Sequence, residues 1–159
     1  MKILVLYYSK GGNTKKLAHA VAQGVDSLDG VSPVVKTCES VTKEDFLGAN
    51  GIIAGSPVYF GGMAAPLKQV FDSFVSTRRK MEGKIGAAFT TSGDATGGKE
   101  TTMMGILQAF LIYGMVITGD PLAATGHYGV ACVGEPDEKT IENAKLLGKR
   151  VGELASRLS

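Results

Sequence analysis

KILVLYYSKGGNTKKLAHAV, residues 2–21, joins three kinds of sequence. Residues 2–8 are an apolar run without alternation, which suits a strand buried on both faces. Residues 13–28 place Leu17, Val21, Val25 and Leu28 on one helical face, with Lys15, Lys16, His19, Gln23 and Asp26 on the other. Between strand and helix lie Ser9, Lys10, Gly11, Gly12, Asn13 and Thr14, all small, flexible or rich in donors.

The same alternation continues along the chain. SPVVKTC (32–38) reads as an edge strand, with Pro33 tolerable at its start. A short helix is expected over 43–47 and a third strand over 51–56. Leu67, Val70, Phe71 and Phe74 recur at helical spacing over 63–76, with Pro66 in the first turn. KIGAAFTT (84–91) is a fourth strand, and 98–113 a helix with Met103, Ile106, Leu107 and Phe110 on one face. GMVIT (114–118) is a fifth strand, continued by GVACVG (129–134) after a loop. Residues 137–158 close the chain as an amphipathic helix. Strands alternating with helices imply a parallel sheet covered on both faces. Five strands suit the doubly wound order 2-1-3-4-5, a three-layer αβα fold. No linker or repeat divides the chain, so residues 1–159 are expected to form a single domain.

Composition narrows the function. The chain is 44 % hydrophobic and 20 % charged, as in globular proteins. No apolar run reaches the roughly 20 residues of a membrane span, and no leader is recognisable, so a cytoplasmic location is expected. Net charge is +2, and the densest basic run, Arg78–Arg79–Lys80, lacks the interleaved aromatics of a nucleic-acid surface. It reads as a solvated turn. Cys38 and Cys132 stand far apart, outside any metal-ligand spacing, and are read as free thiols with no metal site.

Glycine is over-represented, at 22 residues, and clusters at 11–12, 61–62 and 93–98. In an open α/β sheet, ligands bind beyond the carboxyl ends of the strands. The loops SKGGNT (9–14), SPVYFGG (56–62) and TSGDATGG (91–98) would meet there. The first opens a helix, whose free N–H groups and dipole attract an anion. Ser9, Asn13 and Thr14 add side-chain donors, and a terminal phosphate fits; simple capping by Asn13 or Thr14 is the competing reading. The stretch is neither a G-x-x-x-x-G-K-[ST] loop nor a G-x-G-x-x-G turn. Pro57, Val58, Tyr59, Phe60 and Gly61 put aromatic rings beside exposed backbone, which suits a flat heterocycle. Phe60 reads equally as core, and Tyr59 as a partner contact. Thr91, Ser92, Gly93, Asp94, Ala95, Thr96 and Gly97 form a donor-rich loop that can bond a ring edge. Asp94 meets either a sugar hydroxyl or solvent. Glu100 reads as helix-entry chemistry. His127 reads as a solvated turn residue or a substrate contact.

A phosphate cradle, an aromatic loop and a glycine loop in that order resemble the FMN site of the flavodoxin-like superfamily. YSKGGNTKKLA resembles its S/T-x-x-G-N/H-T phosphate motif. GSPVYFGGMAAPLKQVFD (55–72), SGDATGGKETT…YGMVITG (92–119) and HYGVACVGEPDEKTIENAKLLGKRV (127–151) resemble the WrbA-type NAD(P)H:quinone oxidoreductases. The resemblance implies that residues 9–14 hold the FMN phosphate. It sets 58–60 beside the isoalloxazine and 91–96 along its other edge and the ribityl chain. That family carries Arg where this chain has Tyr59 and His where it has Ile112. It also has an extra segment near the second strand, and STRRKMEG (76–83) replaces a longer loop. The expected function is an FMN flavoprotein oxidoreductase fed by NAD(P)H, with the flavin rather than a side chain carrying the chemistry. Its acceptor would be a quinone or similar small molecule, and a homo-oligomer is among the implications. The alternative is a flavodoxin-type electron carrier that serves a redox-partner protein, although a slightly basic chain is unlike the acidic carriers.

Overall fold

The computed structural model describes residues 1–158. Strands β1 (Lys2–Tyr7), β2 (Ser32–Thr37), β3 (Gly51–Tyr59) and β5 (Ile85–Ser92) pair in parallel, in the order β2-β1-β3-β5. The expected fifth strand is split. β6 (Val116–Ile117) pairs with the start of β5, and β7 (Val130–Val133) pairs with its end. Residues 118–129 bulge between them, so a single edge position is filled by two short strands. A further strand, β4 (Gly62–Met63), folds back antiparallel on β3. The sheet therefore has seven strands where the sequence suggested five, on the same doubly wound path.

Among the described residues five helices cover it: α1 (Asn13–Asp26), α2 (Lys43–Gly48), α3 (Ala65–Ser73), α4 (Lys99–Ile112) and α5 (Glu138–Arg157). The stretch expected as one helix over 63–76 divides into β4, α3 and a 3-10 turn, Val75–Lys80. Alternate residues of each strand feed opposite cores. Ile3, Val5 and Tyr7 of β1 pack with α1 and α5, alongside Ile53, Ala87 and Phe89. Leu4 and Leu6 pack on the other side with Phe46, Leu67, Ile106 and Phe110. That two-sided burial is why the first strand reads as a continuous apolar run.

α1 and α5 approach unusually closely. A Cβ at Gly24 would overlap the carbonyl of Lys145, and one at Gly148 the carbonyl of Val21. Lys16 Nζ meets Glu135 Oε1 at 2.8 Å and ties α1 to the segment leading into α5.

Candidate functional site

Parallel strands set every strand-to-helix loop at one edge of the sheet. Three of these loops are linked by side-chain contacts. Thr14 Oγ1 and Thr91 Oγ1 lie 2.8 Å apart and buried, which joins the first loop to the third. The rings of Tyr8 and Tyr59 meet edge to face at 6.3 Å, which joins the first to the second. Thr101 Oγ1 donates to the Gly61 carbonyl at 2.6 Å, and a Cβ at Gly98 would press on Gly61 Cα at 2.8 Å. The second loop is thereby seated on the start of α4.

The first loop is a cradle. Gly12 is the N-cap of α1 at φ 95, a left-handed conformation that favours glycine. Its carbonyl accepts the first helical bond, from Lys16 N at 2.9 Å. Ser9 Oγ accepts from the N–H groups of Gly12 and Lys15, both at 3.2 Å. Neither Asn13 nor Thr14 caps the helix, as the competing reading required. Among the described residues, the amides of Asn13 and Thr14 meet no acceptor. A Cβ built at Gly11 or Gly12 would face open space. No acid stands in the first turn of α1, so the helix's own side chains do not oppose an anion there. α2 and α5 contrast with this. Thr42 closes a capping box with Asp45, and Asp137 accepts from Thr140 N. A side chain closes one amide at each of those helix starts, while the amides of Asn13 and Thr14 in α1 stay free.

The second loop differs from the expected turn. Pro57, Val58 and Tyr59 belong to β3, not to a loop. Pro57 is tolerated because the β1 partner ends at Gly55, and β5 alone accompanies it. Phe60 and Gly61 form the two-residue tip of the β3–β4 hairpin, with φ 49 and 75. Positive φ at both positions is what a type I′ turn requires. Phe60 is fully exposed, so the core reading is corrected. Ser56, buried, braces the hairpin base: its Oγ accepts from Ala64 N and donates to the Pro57 carbonyl.

Thr91 and Ser92 of the third group are buried at the end of β5. Ser92 Oγ donates to the Asp94 carbonyl at 2.8 Å, which folds the loop back on the strand. Gly93, Asp94, Ala95 and Thr96 are exposed, and Gly97 is half-buried. α4 opens on Gly98, another left-handed glycine without a side-chain cap. Glu100 stands in its first turn, as its helix-entry reading expected. Lys10 is exposed beside the cradle.

Cys132 pairs in register with Thr91. Burial first, then the Asp137 carboxylate, pushes its thiol up to about 11 against the pull of Lys99. It stays protonated at neutral pH and is no nucleophile. Cys38 is pushed up to about 12, by burial and by Glu39. His127, exposed at φ 70, lies on the bulge between β6 and β7. Tyr8 was read as the last residue of the first strand and given no role at the site. Only its position at the end of β1, one residue before the cradle, could have signalled it.

A doubly wound sheet with an open, amide-rich shelf beyond its strand ends defines a nucleotide-binding class of α/β protein. Within it, the chain belongs to the NADPH-dependent FMN reductase family, whose model matches residues 1–129. A flavodoxin from Aquifex aeolicus is 38 % identical over 158 residues, covering 96 % of this chain and 85 % of that one. An NAD(P)H dehydrogenase (quinone) from Archaeoglobus fulgidus is 36 % identical over 188 aligned positions, covering 99 % and 98 %. Those positions outnumber this chain's residues, so the relative carries internal insertions. Among solved structures, a WrbA-like flavodoxin from Agrobacterium tumefaciens has a TM-score of 0.83 at 23 % identity, with 99 % of each chain covered. That likeness bears on the fold alone. An archaeal flavodoxin has a TM-score of 0.80 at 28 % identity, covering 98 % of this chain and 99 % of that one.

Proposed function

We propose that this protein is an FMN-dependent oxidoreductase that takes electrons from NADH or NADPH and passes them to a quinone or similar small acceptor. The observation that carries this reading is the cradle at α1, where amides without an acceptor and glycines bordered by open space stand at a positive helix end. These features fit a phosphate monoester dianion. Bound FMN would supply the ring that accepts hydride and returns electrons.

The chain's own residues bind and orient. Ser9 holds the turn open by bonding two amides internally, which leaves those of Asn13 and Thr14 for the phosphate. Lys10 adds positive charge at the rim. Tyr59, steadied by Tyr8, would flank one side of the ring. Pro57, Val58, Phe60 and Gly61 complete that wall, and the 91–97 backbone offers donors to the polar edge. Nicotinamide and acceptor would use the same open face in turn. Both thiols are free, which fits a reducing, cytoplasmic setting.

A flavodoxin relative at 38 % identity favours a second reading, a one-electron carrier between proteins. One experiment separates the two. The protein is loaded with FMN, freed of oxygen and mixed with NADH or NADPH. The reductase reading predicts loss of the flavin's visible absorption, reversed by a soluble quinone. A flavin that binds yet stays oxidised under excess of both nucleotides would contradict it.

A further inference from the structure

Arg78, Arg79 and Lys80 read in the sequence as a solvated turn, and the FMN site leaves them without a role. The structure holds them in place. They end the 3-10 turn Val75–Lys80, which is pinned on both sides of them. Thr77, buried, donates from Oγ1 to the Phe74 carbonyl at 2.8 Å, and Met81, fully buried, follows directly. The three cations between these anchors are exposed. Among the described residues, the guanidinium groups of Arg78 and Arg79 have neither an ion pair nor a hydrogen-bond partner.

Both arginines line a hollow of about 520 Å³ between that turn and the end of α4. Its apolar sides are Val75, Leu111 and Ile112, which are 61 %, 54 % and 64 % exposed. A second hollow, of about 270 Å³, is lined largely by carbon, from Phe71, Val75, Ala109, Ile112 and Tyr113. The Tyr113 hydroxyl is engaged inside the fold, where it donates to the Phe71 carbonyl at 2.6 Å. Lys68 and Asp72, at the edge of this hollow, are bonded to each other at 2.7 Å. The two hollows share Val75, Arg78, Ile112 and Tyr113, so they form one cleft, cationic at one end and apolar at the other. The larger part alone is in the size range of small-molecule sites, roughly 300–1,000 Å³.

Exposed apolar surface beside unpaired cations is complementary to a molecule with the same two parts, an anionic head and a hydrocarbon body. Burial of the hydrocarbon supplies affinity in proportion to the area covered. Guanidinium forks match the two oxygens of a carboxylate. Glu82 also lines the first hollow, but two arginines outnumber it, so a cationic amphiphile is disfavoured. A neutral one would leave both guanidinium groups unpaired.

We infer that this cleft binds a small amphipathic carboxylate of the fatty-acid class, with its head at Arg78 and Arg79 and its chain against Phe71, Ile112 and Tyr113. The cleft opens at the C-terminal end of α4, about 20 Å along the helix from Gly98, so it is separate from the cradle whatever the cradle holds.

The test is calorimetric titration of the full chain with decanoate, kept below the concentration at which it forms micelles. The expected result is one decanoate per chain. Acetate, which lacks the hydrocarbon, and 1-decanol, which lacks the charge, should each bind at least about tenfold more weakly. Arg78→Gln and Arg79→Gln together should weaken decanoate by about tenfold or more. Lys80→Gln, outside the lining, should leave it unchanged, which separates a built site from attraction to any basic surface. All three side chains are exposed, so these variants keep the core, and an unaltered thermal unfolding transition checks that they do. Decanoate that fails to bind the wild-type chain, or that binds the double variant equally well, would overturn the inference. So would 1-decanol binding as tightly as decanoate. Attachment to vesicles of anionic phospholipid without uptake of monomeric decanoate would also overturn it, because the face would then meet a membrane surface rather than a single molecule.

Discussion

At Phe60 the backbone and the side chain make opposite demands. The turn needs positive φ, which a bulky aromatic adopts at a cost of about 1–3 kcal/mol, and the ring gains no burial in return. Asn is the usual first residue of a type I′ turn, and Gly61 already occupies the second position. Phe60→Asn should therefore raise the apoprotein's stability by about 1 kcal/mol, read from thermal unfolding, while weakening flavin binding. Unchanged or lower stability would show that the ring packs in a way its exposure conceals. The hairpin was illegible in the sequence for the same reason, because Phe-Gly carries no turn signal. Thr14 raises a related point. The sequence reading assigned its hydroxyl to the phosphate, yet the hydroxyl is buried against that of Thr91. In the apoprotein, Thr14→Val and Thr91→Val should each cost about 1–3 kcal/mol by stranding the other hydroxyl, while the double variant costs less than their sum. Urea unfolding of the four proteins measures this; strict additivity would mean the two hydroxyls do not depend on each other.

The elements divide into those that declare themselves and those that need their neighbours. α1 and α5 were plain from periodicity alone, and β1 from its unbroken apolar run. What periodicity could not reveal is how α1 and α5 touch. Gly24 and Gly148 are neutral marks in a helical pattern, yet each lets the opposing carbonyl reach helix backbone. Gly148→Ala would improve helix propensity in isolation by about 1 kcal/mol. In the folded protein it should instead destabilise by about 1–3 kcal/mol or more, because the methyl would overlap the Val21 carbonyl. Chemical denaturation gives the sign directly, and a stabilised variant would contradict the packing described. The segment over 63–76 failed as one helix because β4 claims its start, and the chain tightens into a 3-10 turn after Ser73. Both breaks are tertiary in origin, so no local pattern marks them. The split of the last strand was legible in outline, since two short apolar runs flank a loop.

At the scale of the whole molecule, doubly wound topology does the assembling. Loops separated by tens of residues become neighbours only because parallel strands begin and end together. The convergence of the three glycine clusters was therefore predictable from fold class, although the bonds that link them were not. The sheet also sorts the helix ends. α2 and α5 begin with side-chain caps, whereas α1 begins with free amides above open glycines. Flavin binding at this site depends on those amides gripping a phosphate. Riboflavin is FMN without the phosphate, so the two ligands isolate this term. The decisive measurement is a titration of the apoprotein with each, followed by quenching of flavin fluorescence. With hydrogen bonds to a charged group worth about 1.5–3 kcal/mol each, two free amides predict one FMN per chain, bound at least about a hundredfold tighter than riboflavin. Equal affinities for the two flavins, or no binding of either, would contradict the cradle at α1.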